Sequence, residues 1–317
     1  MLSGFFADKP TYRKFLIVVS IVLFCTLIFS MLGALIIEAI YGVNMISDPS
    51  ALSDLDNPNT LAAMKLLQLI STGIGMFLLP SLLLAWLFSP NPKAYLQLKK
   101  SPPVYTMLLT FIIMFAAIPL INVMVLLNQQ MELPSFLSGL EEWIKASEKN
   151  AMRITEALLD MNSTGELFYN LLIIAVLPAL GEEFLFRGIL QKLFKEMTQN
   201  IHVAILITSV IFSAIHMQFY GFLPRMMLGV LFGYLLHWTG SIWVPVFAHF
   251  INNGAAVVFA YFAGKEALPF NQDTVGATKD EWLMAVIATL ILTGLLFQLY
   301  RSRSTNEEPE SEPSSHT

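Results

Sequence analysis

Charge and cysteine are what this chain has least of. Only 13% of its 317 residues are Asp, Glu, Lys or Arg, about half the share of an ordinary soluble domain. So few charges cannot cover a water-facing surface, which points to a polytopic membrane protein. The single cysteine, Cys25, excludes an internal disulfide, a thiolate cluster and a CxxC redox pair. It reads as a small apolar residue in a membrane helix. Lys and Arg number 18 against 23 Asp and Glu, and no basic patch marks nucleic acid as a partner. Part of the net charge of −5 lies near the C-terminus, at Glu307, Glu308, Glu310 and Glu312. No internal repeat is evident, which argues against an inverted-repeat transporter. The first apolar run, residues 15–37, is too long for a cleavable signal peptide and lacks a small-residue exit.

Apolar sequence is what the chain has in abundance, at 56% hydrophobic residues and a mean hydropathy of +0.65. The expected fold class is all-α: a polytopic membrane helix bundle of about eight transmembrane helices plus one amphipathic surface helix. Spans of about 20 apolar residues are expected at 15–37, 66–88, 105–127, 167–193, 202–217, 222–238, 242–262 and 282–300. In the second span, Gly73 and Gly75 are close-packing positions and Pro80 predicts a kink. Between the third and fourth spans, Phe136, Leu140, Trp143, Ile144, Ile154 and Leu158 recur at helical spacing among charged residues. That pattern predicts an amphipathic helix on the membrane surface or over the bundle. Ser163 and Glu166 have capping-box spacing and open the fourth span. The chain thus divides into a three-span region (1–133), the amphipathic helix (134–163), a second membrane bundle (164–303) and a disordered acidic tail (304–317). Lys9, Arg13, Lys14, Lys93, Lys99, Lys100, Lys192, Lys195, Arg301 and Arg303 all fall in alternate loops. The positive-inside rule then places both termini in the cytoplasm.

One stretch breaks the apolar pattern: Glu182, Glu183 and Arg187 fall within six residues of the fourth span. A charged side chain at the bilayer centre costs roughly 3 to beyond 10 kcal/mol, so such groups pair, face water or do chemistry. Glu183 and Arg187 are i and i+4 and can neutralise one another, whereas Glu182 lies about 100° round the helix. Glu183 therefore looks structural, and Glu182 looks free to work. His216 lies in the fifth span; His249 and Asn253 share one face of the seventh. A bundle can bring these groups together, and together they can hold a water, take its proton and donate to a developing oxyanion. By depth, His249 lies about 10 Å and His216 about 20 Å from the predicted cytoplasmic ends, a mismatch that the packing must reconcile. His202 and His237 sit near span ends and are read as structural; His316 is in the tail.

Glu182-Glu183-x-x-x-Arg187, Phe212-x-x-x-His216 and His249-x-x-x-Asn253, in that order on late membrane helices, resemble the CPBP intramembrane proteases. That family includes the CaaX prenyl endopeptidases and the bacterial Abi, or bacteriocin-processing, type. The resemblance covers about residues 165–262 and implies a hydrolase of membrane-associated protein or peptide substrates within the lipid bilayer. By it, Glu182 would activate water, His216 would hold that water, and His249 and Asn253 would stabilise the oxyanion. Glu183 and Arg187 would brace the site. The motifs leave the cofactor open. Glu182, His216 and His249 could ligate zinc with one open position, or hydrolysis could be metal-free and glutamate-dependent; the metal-free route is favoured. Compact length and a short charged tail look like the bacterial branch, hence a prokaryotic cell membrane. The alternative is a non-enzymatic bacteriocin-immunity or regulatory protein that binds a partner, with the polar cluster as interhelical glue. A proton-coupled transporter is the third reading.

Overall fold

The computed structural model describes residues 3–131, 133–264 and 282–304. The expected disordered tail lies outside these residues from 305 onward. All eight predicted spans are helical: α1 (Thr11–Tyr41), α2 (58–88), α3 (Val104–Gln129), α5 (164–198), α6 (Ile201–Ala214), α7 (Phe222–Thr239), α8 (Trp243–Ala263) and α9 (Trp282–Ser304), with the amphipathic α4 (Ser138–Leu159) after the third. Among the described residues, α1, α2, α3, α8 and α9 are long and apolar enough to cross a membrane on length and composition alone. The other three hold most of the polar groups discussed above. Of these, α6 is apolar but short, and the polar groups of α5 are enclosed, while α1 turns Leu23, Phe24, Leu27 and Met31 outward as a lipid-facing surface. The molecule is an integral membrane protein of several apolar helices.

Contacts gather the loops into two ends. At one, Ser3 donates to the carbonyl of Ser89 (3.2 Å) and Thr11 to Glu196 (3.0 Å). Lys192 donates to the carbonyl of Tyr95, Ser241 to that of Lys100 (2.5 Å), and Gln298 to the hydroxyl of Tyr105. The predicted basic loops meet here. At the other end, Arg153 of α4 donates to the carbonyl of Ser53 (3.0 Å), and the Tyr220 amide donates to Glu148 of α4 (3.4 Å). Asn170 holds the carbonyl of Leu158 (2.5 Å), while Leu158 and Leu159 are buried. The amphipathic helix therefore lies across this end of the bundle, as one of its two expected placements had it, with Phe136, Leu140 and Trp143 exposed.

Small residues set how closely the central helices approach. A Cβ on Gly75 would lie 2.3 Å from that of Phe29, and one on Gly73 would lie 3.0 Å from a Leu177 methyl. Both predicted contact glycines are thus used. Gly181 packs directly on α2, where a Cβ would come within 2.7 Å of the Phe77 Cβ. The expected irregularity near Pro80 takes the form of a π-helical stretch, Gln68–Leu78, ending two residues before it. α5 does the same ahead of Pro178, with π-helical Leu171–Val176 and a second such stretch at Phe186–Leu190. Proline has no N–H and crowds the preceding turn, and a widened turn relieves that conflict. The cap at Ser163 forms, its Oγ accepting from the Glu166 amide (3.3 Å). Glu166 answers one residue further out than a standard capping box, accepting from the Asn162 amide (2.7 Å).

Candidate active site

The site forms where the middle of α5 meets its neighbours, Leu177–Leu185 packing on α8 and Phe186–Leu190 on α7. Glu183 is fully buried and doubly engaged through Oε1: Arg187 Nη1 donates to it at 2.8 Å, and His249 Nδ1 stands 2.8 Å away. Because Glu183 faces it as a carboxylate, the His249 proton is assigned to Nδ1. Arg187 also donates from Nη2 to the carbonyl of Gly229 (3.1 Å), leaves its buried Nε without a partner among the described residues, and places its guanidinium 4.6 Å above the Phe212 ring and 5.4 Å from Phe232. Phe232 also stacks on His249 at 5.4 Å. The predicted i,i+4 ion pair is thus formed, and aromatic faces take part of the cation's charge.

Glu182 is different. It is also buried, and whereas Glu183 has one unpartnered oxygen, Oε2, beside a doubly bonded Oε1, Glu182 accepts no hydrogen bond from any described residue, its buried Oε2 included. Its nearest charged neighbour is His249, with Nε2 4.0 Å away. His249 thus bridges the two carboxylates, bound to one and facing the other.

His216 does not lie on a helix, because α6 stops at Ala214. The predicted fifth span overran by a turn. The chain then folds back, with Met217 in the left-handed region (φ 54°), and the His216 Nδ1 donates to the carbonyl of Phe212 at 2.8 Å. That carbonyl accepts only, so in the neutral ring Nε2 is left as an acceptor. Phe212 packs edge-on against His216 (5.2 Å) and His249 (6.1 Å). Phe212 thus lies between the two rings, so packing brings His216 and His249 to one site despite the mismatch counted along the helices.

Asn253 has a structural partner that follows from the sequence. Pro178 lacks an N–H, so the carbonyl four residues earlier, Ile174, loses its α-helical donor. Asn253 Nδ2 supplies one at 3.0 Å, while its Oδ1 accepts from Asn252 (3.1 Å). One amide hydrogen of Asn253 remains for other work.

The residues do not make a ready zinc site. His249 keeps Nε2 open while Nδ1 is held by Glu183, an orientation also usual for a metal-binding imidazole, but among the described residues no group of three or more His, Cys, Asp or Glu is placed to hold a metal ion. His202 stays outside the site, exposed, with Nδ1 2.7 Å from the Tyr234 hydroxyl. Beside the site lies an apolar cavity of about 570 Å³ between α3, α5 and α8, lined by Met107, Val176, Ala179, Trp243, Val246 and Phe250. Ala179 is three residues before Glu182 and Val246 three before His249, so each is one helical turn from the polar centre.

Sequence reasoning passed over Gly229, Phe232 and Arg225 on α7. Arg225 carried a usable signal, an arginine within the predicted span 222–238. The other two did not, since nothing local marks a glycine whose carbonyl meets a guanidinium.

The family model described as Type II CAAX prenyl endopeptidase Rce1-like matches residues 164–255. The Bacillus subtilis (strain 168) protein YdiL, described as a candidate membrane peptidase, is 34% identical over 104 residues, 33% of this chain and 41% of YdiL. YpbD of the same organism, whose name assigns no function, is 33% identical over 86 residues, 26% of this chain and 41% of YpbD. The chain thus spans about two fifths of the length of these relatives. No solved structure matches it.

Proposed function

We propose, from the match of residues 164–255 to the family model described as Type II CAAX prenyl endopeptidase Rce1-like, that this chain is an intramembrane endopeptidase with Glu182 as its general base. The observation that carries the reading is the buried, unpartnered Oε2 of Glu182 beside a histidine that a second carboxylate holds in place. A buried acceptor left unmade is expensive, and a water molecule bound there would satisfy it. His216 Nε2, free to accept, would orient that water, and Glu182 would take its proton as it attacks the scissile carbonyl. Glu183 and Arg187 fix the His249 ring; the remaining amide hydrogen of Asn253 would face the reacting oxygen. The apolar cavity beside Ala179 and Val246 would take the apolar part of a membrane-associated substrate. With basic loops inward, both termini would face the cytoplasm of a prokaryotic cell.

A second reading has its own support. Glu183, Arg187, His249 and Asn253 are bonded to one another or to backbone, as interhelical glue in a partner-binding protein would be. One experiment separates the two. Purified protein in detergent is assayed against a peptide library, with wild type, Glu182→Gln and His216→Ala compared and bound metal quantified. The endopeptidase reading expects cleavage by wild type, its loss by at least about 100-fold in both variants, unchanged melting, and no stoichiometric zinc. Wild-type protein that cleaves nothing, with both variants less stable, overturns it in favour of glue. Stoichiometric zinc lost in these variants would replace the metal-free route.

A further inference from the structure

The site contains a second arginine that neither the ion pair nor the motifs explain. Arg225, Gly229 and Phe232 are i, i+4 and i+7 on α7 and so share one face. On that face the Gly229 carbonyl receives Arg187 and the Phe232 ring stacks on His249. Arg225 therefore lies on the site side of α7, one turn nearer the loop that carries His216. Helical side chains lean toward the N-terminus, and the guanidinium is held there by the loop: Nη2 donates to Gln218 Oε1 at 2.6 Å. Gly221 leaves it room, since a Cβ there would be 3.0 Å from Nη2.

The other terminal nitrogen, Nη1, is buried and has no hydrogen-bond partner among the described residues. Other unpartnered atoms of this centre are Arg187 Nε and one oxygen each of Glu182 and Glu183, but Arg187 and Glu183 are already bonded to each other. That leaves Glu182 and Arg225 as the two groups of opposite sign with no ion-pair hydrogen bond. Arg225 is close enough to couple electrostatically to Glu148 and Glu182 and to His216, yet a hydrogen bond joins it to neither carboxylate. An N–H so placed suits an oxygen that gains negative charge between the two groups. The donors implied for that role are partly spent: His249 Nδ1 on Glu183, and one Asn253 hydrogen on Ile174.

We propose that Arg225 is a catalytic residue whose Nη1–H donates to the carbonyl oxygen of the scissile peptide bond, opposite Glu182. The assignment rests on the endopeptidase reading above. Glu182 takes a proton from water as the water oxygen bonds to the carbonyl carbon. The carbonyl π pair moves onto oxygen, where Arg225 stabilises it. On collapse the pair re-forms the carbonyl, the C–N bond breaks, and the proton passes from Glu182 to the departing nitrogen, giving a carboxylic acid and an amine.

The test uses the full chain in detergent and the best-cleaved peptide of the library, with Arg225→Gln, Arg225→Lys and Glu182→Gln measured beside wild type. Loss of one oxyanion donor lowers kcat by about 100- to 1000-fold; that drop is expected in Arg225→Gln, with KM little changed. Arg225→Lys, which keeps a charged donor, should retain an intermediate kcat, and the melting temperature should be unchanged in both. Wild-type kcat in Arg225→Gln, or a rise confined to KM, overturns the assignment while the peptidase reading stands. A loss that tracks lost folded protein, and that Arg225→Lys does not relieve, overturns it as a structural effect. Wild-type protein no more active than Glu182→Gln brings down the peptidase reading and this assignment with it.

Discussion

Two neighbouring carboxylates take opposite parts because one residue along a helix is a rotation of about 100°. Glu183 turns to Arg187 and His249 and is fully buried; removing its charge strands the Arg187 guanidinium among Phe186, Phe212 and Phe232. Breaking a buried pair in this way costs about 3–5 kcal/mol. Glu183→Gln is therefore expected to lower the melting temperature markedly and to lose activity with it. Glu182→Gln removes a buried charge whose Oε2 has no partner, so its melting temperature should equal or exceed that of wild type while cleavage disappears. Thermal unfolding of the two variants in the same detergent checks the contrast. Equal destabilisation would mean that both carboxylates are structural.

At the scale of elements, α5 is placed by a glycine and a proline more than by its polar residues. Gly181 lets α5 touch α2 at Phe77, and Pro178 forces the irregular turn whose free carbonyl Asn253 secures. Gly181→Ala would push a methyl to within 2.7 Å of the Phe77 Cβ and 3.0 Å of the Leu78 amide nitrogen. Backbone cannot yield as a side chain tip can, so overpacking by about 1–3 kcal/mol is expected. The displaced helix carries both carboxylates, so activity should fall further than stability alone accounts for. Gly294 in α9 has nothing within 4 Å. There, Gly294→Ala should be neutral or gain up to about 1 kcal/mol from helix propensity. Melting and initial rates of the two variants, side by side, decide the matter; a neutral Gly181→Ala would contradict the close approach.

For the whole molecule, the ends of the helices sort by charge. The loops holding Lys93, Lys99, Lys192 and Lys195 meet at one end, while residue Ser53, α4 and the 217–221 turn meet at the other. Cys25 is the only cysteine and is buried, which makes the chain convenient for single-cysteine labelling after Cys25→Ser. Lys93→Cys is expected to react with an impermeant maleimide only when the cytoplasmic face is exposed, and Asp54→Cys only from outside. Labelling of both from one side would refute the arrangement of spans. The exposed apolar faces of α1 and α9 are then the lipid surface.

What the sequence determined by itself was what depends on near neighbours. Hydropathy over about 20 residues marked the helices, period placed α4, and i,i+4 spacing paired Glu183 with Arg187. The motif residues Glu182, His216, His249 and Asn253 were also legible, but not what each would touch. That depended on how separate helices rotate and where α6 ends. Tertiary structure alone decided that His249 binds Glu183 while facing Glu182, and that Asn253 repairs the carbonyl freed by Pro178. It also decided that the turn after α6 holds His216 on the carbonyl of Phe212 and that Arg225 carries a buried N–H with no hydrogen-bond partner among the described residues. Contacts between residues tens of positions apart follow from the sum of packing across the bundle, which no local spacing encodes.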